Sequence, residues 1–156
     1  MDTSILRSIL PIILFSQLLC AAEPLKPQAM TFHGQVYPTN VALKKLGILA
    51  DDDTEGITLV VDDGQLFTII KDDQSRMLYL DPDLHNRKLC LTAVKIPNTQ
   101  MLQIKKVQTL KDGKLYNVDY WCDRCQLAAT QPGRCICCGE VVFRRELPAN
   151  STTSGK

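Results

Sequence analysis

Five of the seven cysteines in this 156-residue chain lie between positions 122 and 138. They read Cys122-Asp-Arg-Cys125, nine residues, then Cys135-Ile-Cys137-Cys138-Gly139. Taken as Cys-x2-Cys, nine residues, Cys-x2-Cys, the stretch has the ligand spacing of a four-thiolate, ribbon-like metal site. Zinc closed by four protein thiolates leaves no position for a substrate, so such a site is structural rather than catalytic. Cys122, Cys125, Cys135 and Cys138 are the expected ligands, and Zn2+ the expected metal. Gly139 suits the sharp turn that must follow the second knuckle, and Pro132-Gly133 shapes the return into it. Four thiolates around a divalent ion leave about two negative charges by formal count. Arg124, Arg134, Arg144 and Arg145 stand close enough in sequence to offset them.

Other chemistries compete for the same residues. An exported chain meets an oxidising compartment, where cysteines pair as disulfides. Against that, Cys137 and Cys138 are adjacent, and five cysteines in one short stretch cannot all pair locally. A Cys-x2-Cys pair can also be redox-active when a helix N-terminus or a cation lowers its thiol pKa. The strand–helix pattern of a thioredoxin-like fold is missing here. Soft thiolates also suit copper(I), so a periplasmic thiol-redox or copper-handling role is the alternative function. Haem attachment needs His after the second cysteine, and the residues there are Gln126 and Gly139. Cys137 is the odd thiol, readable as a spare, an alternative ligand, or half of a bond to Cys90. Cys90 itself sits in an apolar run and reads as a small buried hydrophobe.

No nucleophile–base pair, paired carboxylates, phosphate loop or open three-ligand metal site stands out, so the chain is not read as an enzyme. His33 and His85 have no ligand partners at suitable spacing and read as fold or surface residues. Tyr116, Tyr120 and Trp121 form an aromatic run leading into the cysteines, a candidate binding surface if it is not simply packing. Asp51, Asp52, Asp53 and Glu55 lack the alternating ligands of a calcium loop, and a solvated loop is expected.

The elements that must hold these residues follow from pattern. Residues 1–22 read as a signal peptide: Arg7, an apolar run from residue 9 to 19, then Cys20-Ala21-Ala22 before a cleavage site at Glu23. The apolar run is too short for a comfortable membrane span, which needs about 20 residues. The rest suffices for one compact domain or a domain plus a small module. Net charge is +1, so nothing in the balance points to nucleic acid.

Residues 31–37 read as a strand, 41–49 as a short helix with Asn40 as N-cap, and 57–62 with 66–71 as a hairpin turning at Asp63-Gly64. Ser75 caps a short helical turn that Asp81-Pro82 ends. Strands follow at 88–95 and 101–110, a turn at 111–114, and an extended run at 115–121 into the cysteines. Residues 140–146 read as a closing strand. The element order is that of an OB-fold, a five-stranded Greek-key barrel with a helix between its third and fourth strands. The predicted fold is therefore mainly β: an OB-like barrel over 23–118, a zinc-ribbon-like cysteine module over 119–147, and a disordered tail over 148–156.

Several stretches taken together resemble a family of small, exported, uncharacterised bacterial proteins. They are Lys-Asp-Asp-x-Ser-Arg-Met (71–77), Asn86-Arg87, Lys-Asp-Gly-Lys (111–114), Tyr-Trp-Cys-Asp-x-Cys (120–125) and Pro-Gly-x-Cys-x-Cys-Cys (132–138). The resemblance covers about residues 56–146. It implies that the β domain and cysteine module form one unit, and it brings no activity. The layout is also similar to OB-fold proteins that carry a zinc ribbon, an analogy of fold that transfers no ligand. The expected function is an exported, periplasmic or secreted, non-enzymatic binding module whose partner is an unknown protein or small ligand.

Overall fold

The computed structural model describes residues 28–150. The expected signal peptide and residues 151–156 of the expected tail lie outside the described residues. Along the chain come β1 (Ala29–Pro38), α1 (Thr39–Lys45), β2 (Ile57–Val61), β3 (Leu66–Ile69), α2 (Arg76–Leu80) and a 3-10 turn (Pro82–Leu84). Then follow β4 (Leu89–Lys95), β5 (Met101–Lys111), β6 (Lys114–Cys122), β7 (Leu127–Ala129) and β8 (Phe143–Pro148). The fold is mainly β, with all eight strands in one sheet.

Five strands close a ring of hydrogen bonds in the order β1–β2–β3–β5–β4–β1. All its pairs are antiparallel except β3 with β5, a short parallel contact at Thr68↔Met101 and Ile69↔Leu102. Two irregularities let these strands curve. Gly34 pairs with Val61 on one edge of β1 and with Leu89 on the other, so β1 changes partner there. A Cβ at Gly34 would lie 2.2 Å from the Val60 carbonyl oxygen, so only glycine fits the approach. In β5 the register with β4 shifts between Thr92↔Lys106 and Ala93↔Ile104, leaving Lys105 as an extra, bulged residue. The bulge also switches which residues face inward, from Leu102 and Ile104 before it to Val107 and Thr109 after it.

The turns follow their chemistry. Between β2 and β3, Gly64 takes φ +87°, and its N–H donates to the Val61 carbonyl at 2.8 Å. Between β5 and β6, Asp112 and Gly113 take φ of +48° and +73°, the pair of positive values a two-residue hairpin needs. The first helix differs from expectation. It starts at Thr39 behind Pro38, which places Asn40 inside the first turn rather than at the cap, and it ends at Lys45. The chain leaves it through Gly47, at φ +73°. The acidic loop after it is exposed, with Asp52 paired to Lys44. Ser75 precedes α2 as expected but does not cap it. The Asp72 carboxylate accepts from the Ser75 N–H at 2.9 Å, and the Ser75 hydroxyl donates to the Ile70 carbonyl at 2.6 Å.

β6 crosses the boundary expected at residue 118. Its first half pairs with β5, its second half with β7 on the same edge, and β8 runs along the other edge from Trp121↔Phe143 to Tyr116↔Pro148. β8 therefore begins later than residue 140, and order extends past 147: Pro148 belongs to it, and Ala149 N–H donates to the Leu115 carbonyl at 2.9 Å. A single core runs through ring and extension. It joins Leu59, Leu78, Leu91 and Ile104 with Val118, Tyr120, Cys122, Cys135 and Val142. Each fully buried Leu or Ile contributes roughly 1.5–3 kcal/mol of transfer free energy. Among the described residues no helix is long and apolar enough to cross a membrane.

Candidate metal centre

The strand alternation of β6 sets the first sulfur. Val118, Tyr120 and Cys122 are buried on one face, while Asp119 and Trp121 point to the other. Beyond Cys122 the chain folds back as the β6–β7 hairpin, with Gln126 N–H donating to the Cys122 carbonyl at 2.8 Å and Gln126 at φ +53°. The second knuckle repeats this backbone. Gly139 N–H donates to the Cys135 carbonyl at 2.9 Å, and Gly139 stands at φ +73°. A bond from Cys135 N–H to the Glu140 carbonyl (2.7 Å) and one from Val142 N–H to the Gly133 carbonyl (3.0 Å) tie the second loop shut.

The two knuckles bring Cys122, Cys125, Cys135 and Cys138 together, with the four sulfurs within 4.8 Å of one another. A tetrahedral ion with metal–sulfur bonds of about 2.3 Å would require sulfurs about 3.8 Å apart. The Cys122–Cys138 separation is 3.5 Å. None of the six described cysteines is disulfide-bonded. The four residues expected as ligands thus form a group able to hold a metal ion.

Backbone amides solvate the first sulfur of each knuckle. N–H groups of Cys138 and Cys137 hold the Cys135 thiol down, to about 7. Cys122 receives the same bonds from Cys125 and Arg124, but burial and the Cys138 and Cys135 thiols outweigh them and raise it. Cys125 is pushed up by the neighbouring thiols of Cys138 and Cys137, then by burial. Crowded sulfurs resist sharing full negative charge, and a bound cation removes that conflict while releasing their protons.

The arginines expected to offset the thiolate charge have partners of their own. Arg145 makes a two-pronged pair with Asp119 at 2.9 and 2.7 Å and lies 3.9 Å over the Trp121 ring. Arg144 pairs with Asp81 at 2.7 Å, Arg124 faces Glu140 at 3.4 Å, and Arg134 donates to the Gly139 carbonyl at 2.9 Å. Three of the four thus pair with carboxylates.

The three aromatics of the candidate surface do not share one face. Alternation places Trp121 on the opposite face from Tyr116 and Tyr120. Tyr120 is buried, its hydroxyl donating to Asp81 at 2.7 Å, and burial, then Asp81, holds that hydroxyl protonated well above its usual range. Tyr116 is half-buried near Lys111. His33 is exposed, and the half-buried His85 ring contacts the Leu78 carbonyl, so both sit as fold or surface residues. Cys90 is a buried free thiol, and Cys137 an exposed one.

Pattern reading missed the network behind the module. Glu146 on β8 accepts from Thr109 (2.6 Å), Arg87 (2.8 Å) and Lys111 (2.9 Å). Burial opposes its ionisation, but these donors prevail and hold its pKa at about 2. Arg87 and Lys111 lie within stretches that carried the family resemblance, and here they anchor a strand. Partners 59 and 37 residues apart leave no local signal. No family model, curated protein or solved structure matches the chain.

Proposed function

We infer that the chain is a non-enzymatic binding or interaction module, an OB-like barrel extended by a structural zinc site on Cys122, Cys125, Cys135 and Cys138. The observation that carries this reading is the gathering of four sulfurs within 4.8 Å on two knuckles of matching backbone. An all-sulfur, four-donor set at this spacing suits zinc and leaves no open coordination position for chemistry. When bound, the ion would cross-link the two loops. Structural zinc contributes roughly 10–16 kcal/mol apparent in small peptides.

The ring order, with α2 between β3 and β4 and one parallel closing pair, supports the OB-like reading. Export, and membership of the family of small exported bacterial proteins, rest on residues 1–22 and on the motif stretches. On that reading the partner is an exported protein or a small ligand rather than nucleic acid. A net charge of +1 and the burial of Tyr120 support this.

The test is metal content and folding of single variants. Cys122→Ser and Cys138→Ser are expected to lose the ion and the order of residues 119–147, while Cys137→Ser keeps both. Full metal content and an intact fold in both ligand variants would overturn the assignment. One observation favours the alternative thiol chemistry, the exposed sulfur of Cys137 beside the four.

A further inference from the structure

Among the described residues, β8 ladders with β6 alone, so its other edge has no strand beside it. The register, with the bond from Ala149 N–H to the Leu115 carbonyl, fixes which backbone groups face β6. In an antiparallel ladder every second residue turns both its N–H and its C=O to the partner. On β8 these are Phe143, Arg145 and Leu147, so Arg144 and Glu146 turn theirs outward. Both ends of this outward edge are closed. Val142 N–H, also turned away from β6, donates to the Gly133 carbonyl at 3.0 Å, and Pro148 has no N–H to give. A short window of main-chain donors and acceptors remains. Its two side chains, Arg144 and Glu146, lie on one face of the strand and carry opposite charges.

We propose that this edge is an interface between two copies of the chain, their β8 strands paired antiparallel about a two-fold axis at Arg145. Charges on an edge strand turn away apolar strands, but a reversed copy of this one meets each charge with its opposite. Of the registers that centre on the window, only one satisfies both the backbone and the charges. With Arg144 opposite Arg144 of the second copy, like charges meet and Glu146 faces Val142, whose N–H is taken. With Glu146 opposite Glu146, like charges meet again and Arg144 faces Pro148, which lacks an N–H. With Arg144 opposite Glu146, every outward N–H and C=O exchanges a bond and opposite charges face each other. The same register sets Phe143, 46% exposed, across from Leu147 of the second copy on the opposite face. It also brings the two Arg145 side chains together, each already paired with its own Asp119. The pairing uses the β8 backbone and not the sulfurs, so it adds a partner that the metal reading does not name. A joint this short is a small interface, so the dimer is weak and reversible.

The test is sedimentation of the purified full chain from about 10 µM to about 1 mM, the range of weak association, followed by cross-linking that reads the register. Wild type is expected to rise from monomer towards dimer mass with concentration. Phe143→Glu, altered at an exposed position, keeps the wild-type circular dichroism and weakens the dimer about tenfold or more. Arg145→Cys places the introduced sulfurs on opposed residues about 4.5 Å apart at Cα, within disulfide range. Mild oxidation should join them across the two copies, with the bond located by peptide mass spectrometry. Phe143→Cys should form no bond between its own introduced sulfurs, because in this register those positions lie about 14 Å apart. A wild-type chain that stays monomeric to about 1 mM overturns the proposal. So does a dimer that Phe143→Glu leaves unweakened, or one in which Arg145→Cys does not cross-link.

Discussion

In the ring, Leu59, Leu91, Leu102 and Ile104 are fully enclosed, whereas in the cysteine module Ile136 is fully exposed and Val141 and Phe143 are 68% and 46% exposed. The ring closes on itself through five paired strands. The second knuckle is joined to its return by a single isolated bridge, Arg134↔Val141. One region is thus held by apolar burial and a closed ladder, while the other shares the edge of that core and gathers four sulfurs able to hold a metal ion. The network of Asp81, Arg144 and Glu146 joins them and is neither apolar nor metallic.

The largest expected effect separates the two regions. Chelation, or Cys122→Ser, should abolish amide-exchange protection across residues 133–142 while β1 to β5 remain protected, because structural zinc supplies about 10 kcal/mol or more to such loops. Simultaneous loss of protection in both regions would mean that they fold as one unit. Next is a break confined to the ring. Gly34→Ala forces a Cβ to 2.2 Å from a backbone oxygen and should cost about 3 kcal/mol in urea unfolding, in the range of overpacked cores. An unchanged midpoint would show that β1 does not need its close approach.

The joint should report through pH. With its folded pKa near 2 against an ordinary 4.5, Glu146 stabilises above about pH 4.5 and loses that contribution as pH falls towards 2. Wild type should exceed Glu146→Gln by about 2–3 kcal/mol near neutrality, the gap closing across that acid window. A gap that persists at pH 2 would assign the loss to packing instead.

The smallest effect compares the knuckles. Gln126 and Gly139 occupy equivalent left-handed positions, at φ +53° and +73°. Gln126→Gly should be neutral or stabilising by a few tenths of a kcal/mol, and Gly139→Ala destabilising by about 1 kcal/mol. These shifts can be read from thermal unfolding of the metal-loaded chain. A destabilised Gln126→Gly, or an unaffected Gly139→Ala, would show that the two turns are not equivalent.

These contrasts explain what could be read from the chain beforehand. The cysteine spacing, the Asp63-Gly64 and Asp112-Gly113 turns and the strand run are local, so the ligand group and ring elements were legible. Strand period 2 already separates Trp121 from Tyr116 and Tyr120. The bulge at Lys105 has no periodic signature, because it breaks the period. β7 is three residues with two alanines, too short and too weak in β propensity to mark itself. The Asp81–Tyr120–Arg144 contacts join residues 39 and 63 apart, a distance that sequence pattern does not span.

The most direct test of the metal account is native mass spectrometry of the purified chain combined with thiol alkylation. The account expects one zinc per chain, with Cys122, Cys125, Cys135 and Cys138 protected until a chelator is added. A metal-free chain whose four thiols alkylate at once, or are already paired as disulfides, would contradict it.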